Sequence, residues 1–192
     1  MVKHEVREEL GGVLIFVAII WGVFLVGLIL PFSINAWGVT PRSLGGLVGV
    51  PLMPFLHADF AHLLSNTLPL TILLLLLAGS RANSGAIVIL IVLIGGAMLW
   101  LFGRPATHVG ASGLIFGLIA FLIASGFLEW RMVPLLIAVL VGFFYGGTLL
   151  TGIIPNLDSR VSWDGHLFGA IAGGLAAVLI ARQNKEPKNP LA

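Results

Sequence analysis

The sequence predicts an all-α, polytopic membrane protein built from six transmembrane helices, and two observations lead to that prediction. Of the 192 residues, 58% are hydrophobic and 9% are charged, with a mean hydropathy of +1.09. Soluble domains carry about 25% charged residues, so this chain lacks the side chains that a hydrated surface requires. Six apolar segments also approach the roughly 20 residues of a membrane-spanning helix.

Charge and cysteine content exclude several other classes of protein. The net charge is only +2 and the pI is about 9.5, which we interpret as a signal of membrane orientation and not of nucleic-acid binding. The chain contains no cysteine, so thiol chemistry, disulfides and thiolate metal sites are excluded.

The first predicted helix covers residues 11–30 and follows a charged, solvated lead over residues 1–10. Its apolar core is longer than that of a cleaved signal peptide, so we expect a retained helix. Residues 31–59 are too interrupted by polar side chains for a span and too apolar for a hydrated loop. We therefore expect a large, partly membrane-embedded first loop, with Trp37 as an interface anchor.

The other five helices are predicted over residues 61–78, 85–102, 110–127, 133–150 and 165–181. The membrane domain then covers residues 11–181, and residues 182–192 form a solvated tail. Because the number of spans is even, both termini lie on one side of the membrane. We expect a multi-pass protein of the plasma (inner) membrane in contact with the lipid bilayer.

The distribution of basic residues predicts which side is cytoplasmic. Seven lysine and arginine residues fall on the side of the termini and three on the other side, so the positive-inside rule makes both termini cytoplasmic. The seven are Lys3, Arg7, Arg81, Arg131, Arg182, Lys185 and Lys188, and the three are Arg42, Arg104 and Arg160. The starts of the second, fourth and sixth helices are then in the outer half of the membrane.

A polar cluster lies where the second helix begins. His62 and Asn66 are four residues apart and therefore share one helical face, while His57 precedes His62 by five residues. Polar side chains at this depth usually face a bundle interior or a wet cavity. Two interpretations stay open: hydrogen bonds that join helices, or donors directed at a reacting group. The spacing of His57 favours a loop or supporting position.

Ser112 lies in a glycine-rich stretch at the start of the fourth helix. Gly110, Gly113 and Gly117 remove bulk from this helix, so Ser112 can be interpreted as one small residue of a packing surface. A position near a helix N-terminus permits a second interpretation, because unpaired N–H groups and the helix dipole stabilise negative charge there. Ser112 would then be a nucleophile.

The sixth helix begins with His166 beside a face that has no side chains. Gly165, Gly169 and Gly173 recur at every fourth residue, a pattern typical of helices in close contact. Contact with the glycines of the fourth helix would bring His166 toward Ser112. Serine catalysis needs a base within hydrogen-bond reach and donors for the oxyanion, and the three polar clusters provide a candidate for each.

Together these residues resemble the rhomboid intramembrane serine proteases. The matching motifs are His57-x4-His62-x3-Asn66 in the second helix, Gly110-Ala111-Ser112-Gly113 followed by Phe116 in the fourth, and Gly165-His166-x2-Gly169-x3-Gly173 in the sixth. The order and helix assignment of these motifs agree with the family over nearly the whole chain. The resemblance implies the compact, six-helix bacterial form of the rhomboid-like bundle.

The resemblance also implies a function for each matching residue. Ser112 would be the nucleophile and His166 the general base of a Ser–His dyad. His62, Asn66 and the Ser112 backbone N–H would stabilise the oxyanion. The supporting positions would be His57, Phe116, Gly110 and Gly113, with Phe116 packed against the dyad histidine.

The substrates implied by the resemblance are single-pass transmembrane proteins with helix-destabilising residues near the scissile bond and a small P1 residue. It implies no cofactor and no metal. The physiological substrate and the oligomeric state stay open.

Other function classes predict features that differ from this sequence. A small transporter would place charged residues within its spans and often shows inverted repeats, and a metal hydrolase would carry a His-Glu-x-x-His helix. An intramembrane aspartyl protease would need two aspartates inside helices, and a non-proteolytic protein of rhomboid-like fold would typically lose the serine or the histidine. His108, four residues before Ser112, is expected to be a loop residue at the mouth of the site.

Overall fold

A computed structural model of the protein describes residues 6–155 and 161–183. The chain forms six long helices, α1 (Val6–Ile29), α2 (Phe60–Ser80), α3 (Ser84–Phe102), α4 (Ser112–Glu129), α5 (Met132–Gly152) and α6 (Trp163–Gln183). All six are long and apolar enough to cross a membrane. The predicted all-α, six-helix architecture is confirmed.

The first helix starts earlier than the sequence predicted. α1 begins at Val6, so part of the charged segment expected to be a solvated lead is helical. The Glu9 carboxylate explains the difference, because it accepts hydrogen bonds from the backbone N–H groups of Asn83 at 2.8 Å and Ser84 at 3.2 Å. These bonds hold the start of α1 against the α2–α3 turn.

The fourth helix starts at Ser112, two residues after the predicted start near Gly110. Gly110 has φ +115°, which an α-helix cannot accommodate, so it belongs to the turn before α4. Apart from the start of α1, the helix boundaries, that of α4 included, agree with the prediction to within about two residues, the usual uncertainty of a helix boundary.

The fourth helix is the centre of the bundle. About 61% of the residues of α4 are buried inside the bundle, against 11% of the residues in the most apolar part of α1. The side chains of Leu118, Ile119 and Phe121 are fully enclosed. A central helix exchanges lipid contacts for protein contacts around most of its circumference, so its position is set by several neighbours. Ser112, its first residue, is positioned by the same packing.

Glycines allow α4 and α6 to approach each other closely. A Cβ atom added to Gly169 would overlap the carbonyl oxygen of Gly113, and one added to Gly173 would overlap that of Gly117. No other residue type fits at these two positions of α6, which is the arrangement expected where small residues face each other. The contact predicted between the fourth and sixth helices is therefore present.

The first loop folds onto the end of α3 as a series of short helical turns. These cover Ile34–Trp37, Gly45–Val48, Gly49–Leu52 and Met53–Phe55. The Trp100 indole donates to the Ser43 carbonyl at 2.7 Å, and the Arg42 guanidinium donates to the Gly103 carbonyl at 2.9 Å. Trp37 is 51% exposed, and its function as an interface anchor stays a prediction.

The bundle has two distinct ends. One end carries the start of α1, the end of α6 and the two turns joined by the Arg81–Glu129 ion pair, whose nitrogen and oxygen are 2.6 Å apart. The other end carries the first loop, Gly110 and His166. Val6 and Gln183, the first and last described residues, thus lie at the same end, and the cytoplasmic position of the chain termini stays a prediction. Four of the basic residues on which that prediction rests lie outside the described residues: Lys3, Arg160, Lys185 and Lys188.

Candidate functional site

The turn before α4 places two predicted oxyanion residues against the backbone that leads into Ser112. A Cβ atom added to Gly110 would lie 2.6 Å from ring atoms of His62 and 3.7 Å from the Asn66 amide nitrogen. The Gly110 N–H donates to the Met53 carbonyl at 3.0 Å, which holds the turn in place. Residues of α2 and the start of α4 therefore meet, and this contact requires glycine at position 110.

Ser112 is half-buried and is the first residue of α4. The helix dipole and the unpaired N–H groups of this first turn favour negative charge beside it. The Ser112 hydroxyl makes no hydrogen bond with any residue in the two described ranges, so the predicted bond to His166 is not formed in this structure. The hydroxyl therefore has no hydrogen-bond partner among the described residues, and it lies next to backbone N–H groups that can stabilise an oxyanion.

His166 is held on one face by an aromatic ring. The Phe116 and His166 rings stack with centroids 4.0 Å apart and an interplanar angle of 7°, and both residues are buried. Phe116 lies one helical turn after Ser112, so the stack connects α4 directly to the histidine of α6. The ring plane of His166 is consequently defined by the helix that carries the serine.

A backbone carbonyl determines which imidazole nitrogen is free. His166 Nδ1 lies 3.0 Å from the carbonyl oxygen of Gly152, the last residue of α5. A carbonyl oxygen can only accept, so in the neutral ring Nδ1 carries the hydrogen and Nε2 has the lone pair. This arrangement prepares Nε2 to accept a proton.

Asn66 has a buried donor without a partner. The residue is 6% exposed, and its Nδ2 atom forms no hydrogen bond within the part of the chain that the structure describes. An unsatisfied buried donor costs about 1–3 kcal/mol, and such groups in native proteins are often kept for a ligand or for catalysis. The amide nitrogen is available to an atom that develops negative charge near Gly110.

His57 lies behind His62 and not in the site itself. It is 4% exposed, and its ring lies edge-on to that of His62 with centroids 5.1 Å apart. Its carbonyl accepts a hydrogen bond from the Asn35 amide at 3.1 Å. Burial, with a smaller contribution from His62, lowers the pKa of His57 to about 4. The ring is therefore neutral at physiological pH.

Comparison with known proteins shows the family to which the chain belongs. The Rhomboid domain family matches residues 44–183, a range that contains all three clusters and ends where α6 ends. The chain is a rhomboid. It is 39% identical over 194 residues to uncharacterized proteins of Mycobacterium bovis and Mycobacterium tuberculosis, covering 95% of this chain and 80% of each relative. An uncharacterized protein of Mycobacterium leprae is 37% identical over 197 residues, covering 97% and 78%.

Sequence reasoning missed one group of the candidate site, the Gly152 carbonyl. Every residue offers such an acceptor, so no side-chain pattern could indicate it. The sequence signal for this contact is the glycine at position 152. An added Cβ atom there would overlap the Phe116 ring and lie 3.4 Å from His166 Nδ1. The glycine lets α5 approach the stacked rings.

The neutral state of His57 predicts that acid destabilises this rhomboid. In the unfolded chain His57 takes up a proton near its ordinary pKa of 6.5, whereas in the fold its pKa is about 4. Stability present above pH 6.5 is therefore lost as the pH falls toward 4. We expect the unfolding temperature in detergent micelles to fall more between pH 7.5 and pH 5 for wild type than for His57→Phe. Equal falls would contradict this assignment.

Proposed function

We propose that this rhomboid is an intramembrane serine endopeptidase in which Ser112 and His166 form a catalytic dyad. The observation that carries the proposal is the hydrogen bond from His166 Nδ1 to the Gly152 carbonyl at 3.0 Å. It assigns the tautomer whose Nε2 can accept a proton, which is what a general base requires. The stacked Phe116 ring restricts the imidazole to one plane.

The proposed reaction follows the general course of serine acyl transfer. Ser112 Oγ attacks the scissile carbonyl carbon while its proton passes to His166 Nε2, and the carbonyl oxygen becomes an oxyanion. The Ser112 N–H, the Asn66 amide and His62 stabilise that oxyanion. The Nε2 proton then passes to the leaving amine as the peptide C–N bond breaks. Water next attacks the acyl-serine ester, with His166 again as base, and releases the acid.

The proposed substrate is a transmembrane segment that can leave its helical conformation. Carbonyl groups within a helix are hydrogen-bonded and shielded by neighbouring turns, so a serine can reach them only in extended backbone. The close approach of His62 to Gly110 leaves little room beside Ser112, and we propose a small P1 residue such as alanine.

We propose a lateral route for the substrate beside the second half of α5. Early in α5, Pro134 packs tightly on Gly126 of α4, because a Cβ at Gly126 would lie 2.6 Å from the Pro134 carbonyl oxygen. Later in the helix, added Cβ atoms at Gly146 and Gly147 would meet nothing within 4 Å, and Phe143 is 81% exposed. We propose that the segment enters beside this second half of α5, in the outer half of the membrane, with both termini cytoplasmic.

A reconstituted assay tests the proposal. The purified protein is incorporated into vesicles with a single-span substrate that carries alanine and helix-destabilising residues near one end, and the product masses identify the cleaved bond. We expect cleavage after a small residue within or beside the span. Intact substrate after prolonged incubation of folded protein, with several such substrates, would contradict the proposal.

The Asn66 amide nitrogen, which has no hydrogen-bond partner among the described residues, gives a separate prediction. Asn66→Ala removes one oxyanion donor, so we expect cleavage to slow by about 10²- to 10³-fold. Thr71→Ala is the matched control, because the Thr71 hydroxyl lies on the same helix and, among the described residues, donates only to the Thr67 carbonyl, at 2.7 Å. Initial rates of both variants, measured per folded protein, check the prediction. An Asn66→Ala rate equal to that of Thr71→Ala would remove Asn66 from the oxyanion site.

A further inference from the structure

A group of four polar side chains, two of them buried, lies beside the proposed dyad, outside the path of the reaction. It consists of His108 and Arg104, in the connection between α3 and α4, and of Ser162 and Asp164 at the start of α6; we call it the α3–α4/α6 cluster. His108 is 3% exposed and Asp164 is 2% exposed. These two side chains are enclosed by protein, so a direct contact with substrate is not their function.

His108 joins three segments of the chain. Its backbone N–H and carbonyl pair with Val39 of the first loop at 2.8 and 3.0 Å. In the side chain, Nδ1 lies 2.7 Å from Ser162 Oγ, and Nε2 lies 3.2 Å from the Arg104 carbonyl oxygen and 3.7 Å from Asp164 Oδ2. The imidazole thereby fixes the connection before α4 to the first turn of α6.

Asp164 completes the cluster from the side of α6. Its carboxylate accepts hydrogen bonds from the Arg104 N–H at 2.9 Å, the Ser162 hydroxyl at 3.0 Å and the Gly165 N–H at 3.2 Å. The Arg104 guanidinium lies 3.4 Å from the carboxylate and also donates to the Val161 carbonyl at 2.9 Å. Arginine compensates the buried negative charge, so the carboxylate is a charged link between the two segments.

We propose that His108 and Asp164 are positioning residues that hold Ser112 and His166 at reacting distance. His108 precedes Ser112 by four residues and Asp164 precedes His166 by two, so the cluster joins the two backbones immediately before the dyad. No hydrogen bond from the Ser112 hydroxyl to a described residue contributes to this alignment. A misplacement of a catalytic group by about 1 Å can slow catalysis about 10²-fold. This inference rests on the proposed serine peptidase function.

The test separates positioning from a purely structural contribution. We expect His108→Ala and Asp164→Ala to lower kcat by about 10- to 100-fold and to leave KM within about twofold of wild type. Each substitution should displace the dyad and leave the contacts to the substrate in place. Labelling of Ser112 by a small fluorophosphonate should slow by the same factor. The double variant should be about as slow as the slower single variant, since both residues act through one cluster.

Thr107→Ala is the matched control for these variants. The Thr107 hydroxyl lies in the same connection and pairs with the Thr40 hydroxyl at 3.1 Å, away from α6. We expect this variant to keep the wild-type kcat. A loss equal to that of His108→Ala would show that any weakening of the connection slows the enzyme, which would overturn the inference.

Conservative variants keep the inference testable if an alanine variant does not fold. His108→Asn retains an amide that can pair with Ser162 in either direction, so kcat should recover to within about fivefold of wild type, whereas Asp164→Asn replaces one acceptor oxygen by a donor and should stay about tenfold slow. Lower unfolding temperatures with wild-type kcat per folded protein would overturn the inference and leave the proposed function intact. Absence of both cleavage and Ser112 labelling in wild type would overturn the proposed function itself.

Discussion

Replacement of Ser112 by alanine is expected to reduce cleavage of a transmembrane substrate by about 10⁴- to 10⁶-fold, and His166→Ala should be similarly slow. The serine supplies the atom that bonds to the substrate and the histidine removes its proton, so neither has a substitute in the proposed mechanism. Initial cleavage rates, with product masses to exclude other proteases, measure the effect. The Ser112→Ala protein should keep its unfolding temperature, because the hydroxyl pairs with no residue that the structure describes.

Ser125→Ala is the matched control for the loss of a serine hydroxyl. Ser125 lies on the same helix and is 2% exposed, and within the part of the chain that the structure describes it donates only to the Leu122 carbonyl, at 3.4 Å. We expect this variant to cleave at the wild-type rate. Cleavage by Ser112→Ala at the rate of Ser125→Ala would exclude Ser112 as the nucleophile.

The second large effect is expected at the glycine contact between α4 and α6. A methyl group at position 169 would overlap the Gly113 carbonyl oxygen, so Gly169→Ala must separate the two helices at the turn that follows Ser112. We expect cleavage to fall by about 10²-fold or more, because a displacement of about 1 Å has that effect on a positioned catalytic pair. The unfolding temperature should fall as well, since the close α4–α6 packing is lost.

Gly174→Ala tests whether this effect depends on the contact or on glycine itself. Gly174 lies on the same helix, but an added Cβ atom would meet nothing within 4 Å. Alanine is also the better helix former by about 1 kcal/mol, so this variant should be active and at least as stable as wild type. Equal rates for Gly169→Ala and Gly174→Ala would show that close packing is not required for activity.

The six helices could be predicted from sequence because each is a long apolar segment bounded by polar residues. The α4–α6 contact could also be predicted, since glycines repeat at four-residue intervals on both helices. Hydropathy and residue size are properties of individual residues, so both can be taken directly from the sequence. The sequence pattern indicates Gly110 as a packing residue of α4, whereas in the structure its glycine identity permits the positive φ of the turn before the helix.

Two parts of the site depend on tertiary contacts that no local pattern encodes. The Gly152 carbonyl that orients His166 is a backbone atom, and its use follows only from how α5 ends beside α6. His108 was expected at the mouth of the site, yet it is buried and paired with Ser162 across a large sequence separation. Both groups illustrate that the fold selects the atoms that support a proposed catalytic residue.

Covalent labelling of the serine tests the central claim most directly. The wild-type protein, reconstituted in vesicles, is treated with a small fluorophosphonate, and the modified residue is identified by peptide mass spectrometry. The proposed dyad predicts an adduct on Ser112 that is lost in Ser112→Ala and formed far more slowly in His166→Ala. An adduct on another serine, or labelling of Ser112 at an unchanged rate in His166→Ala, would contradict it.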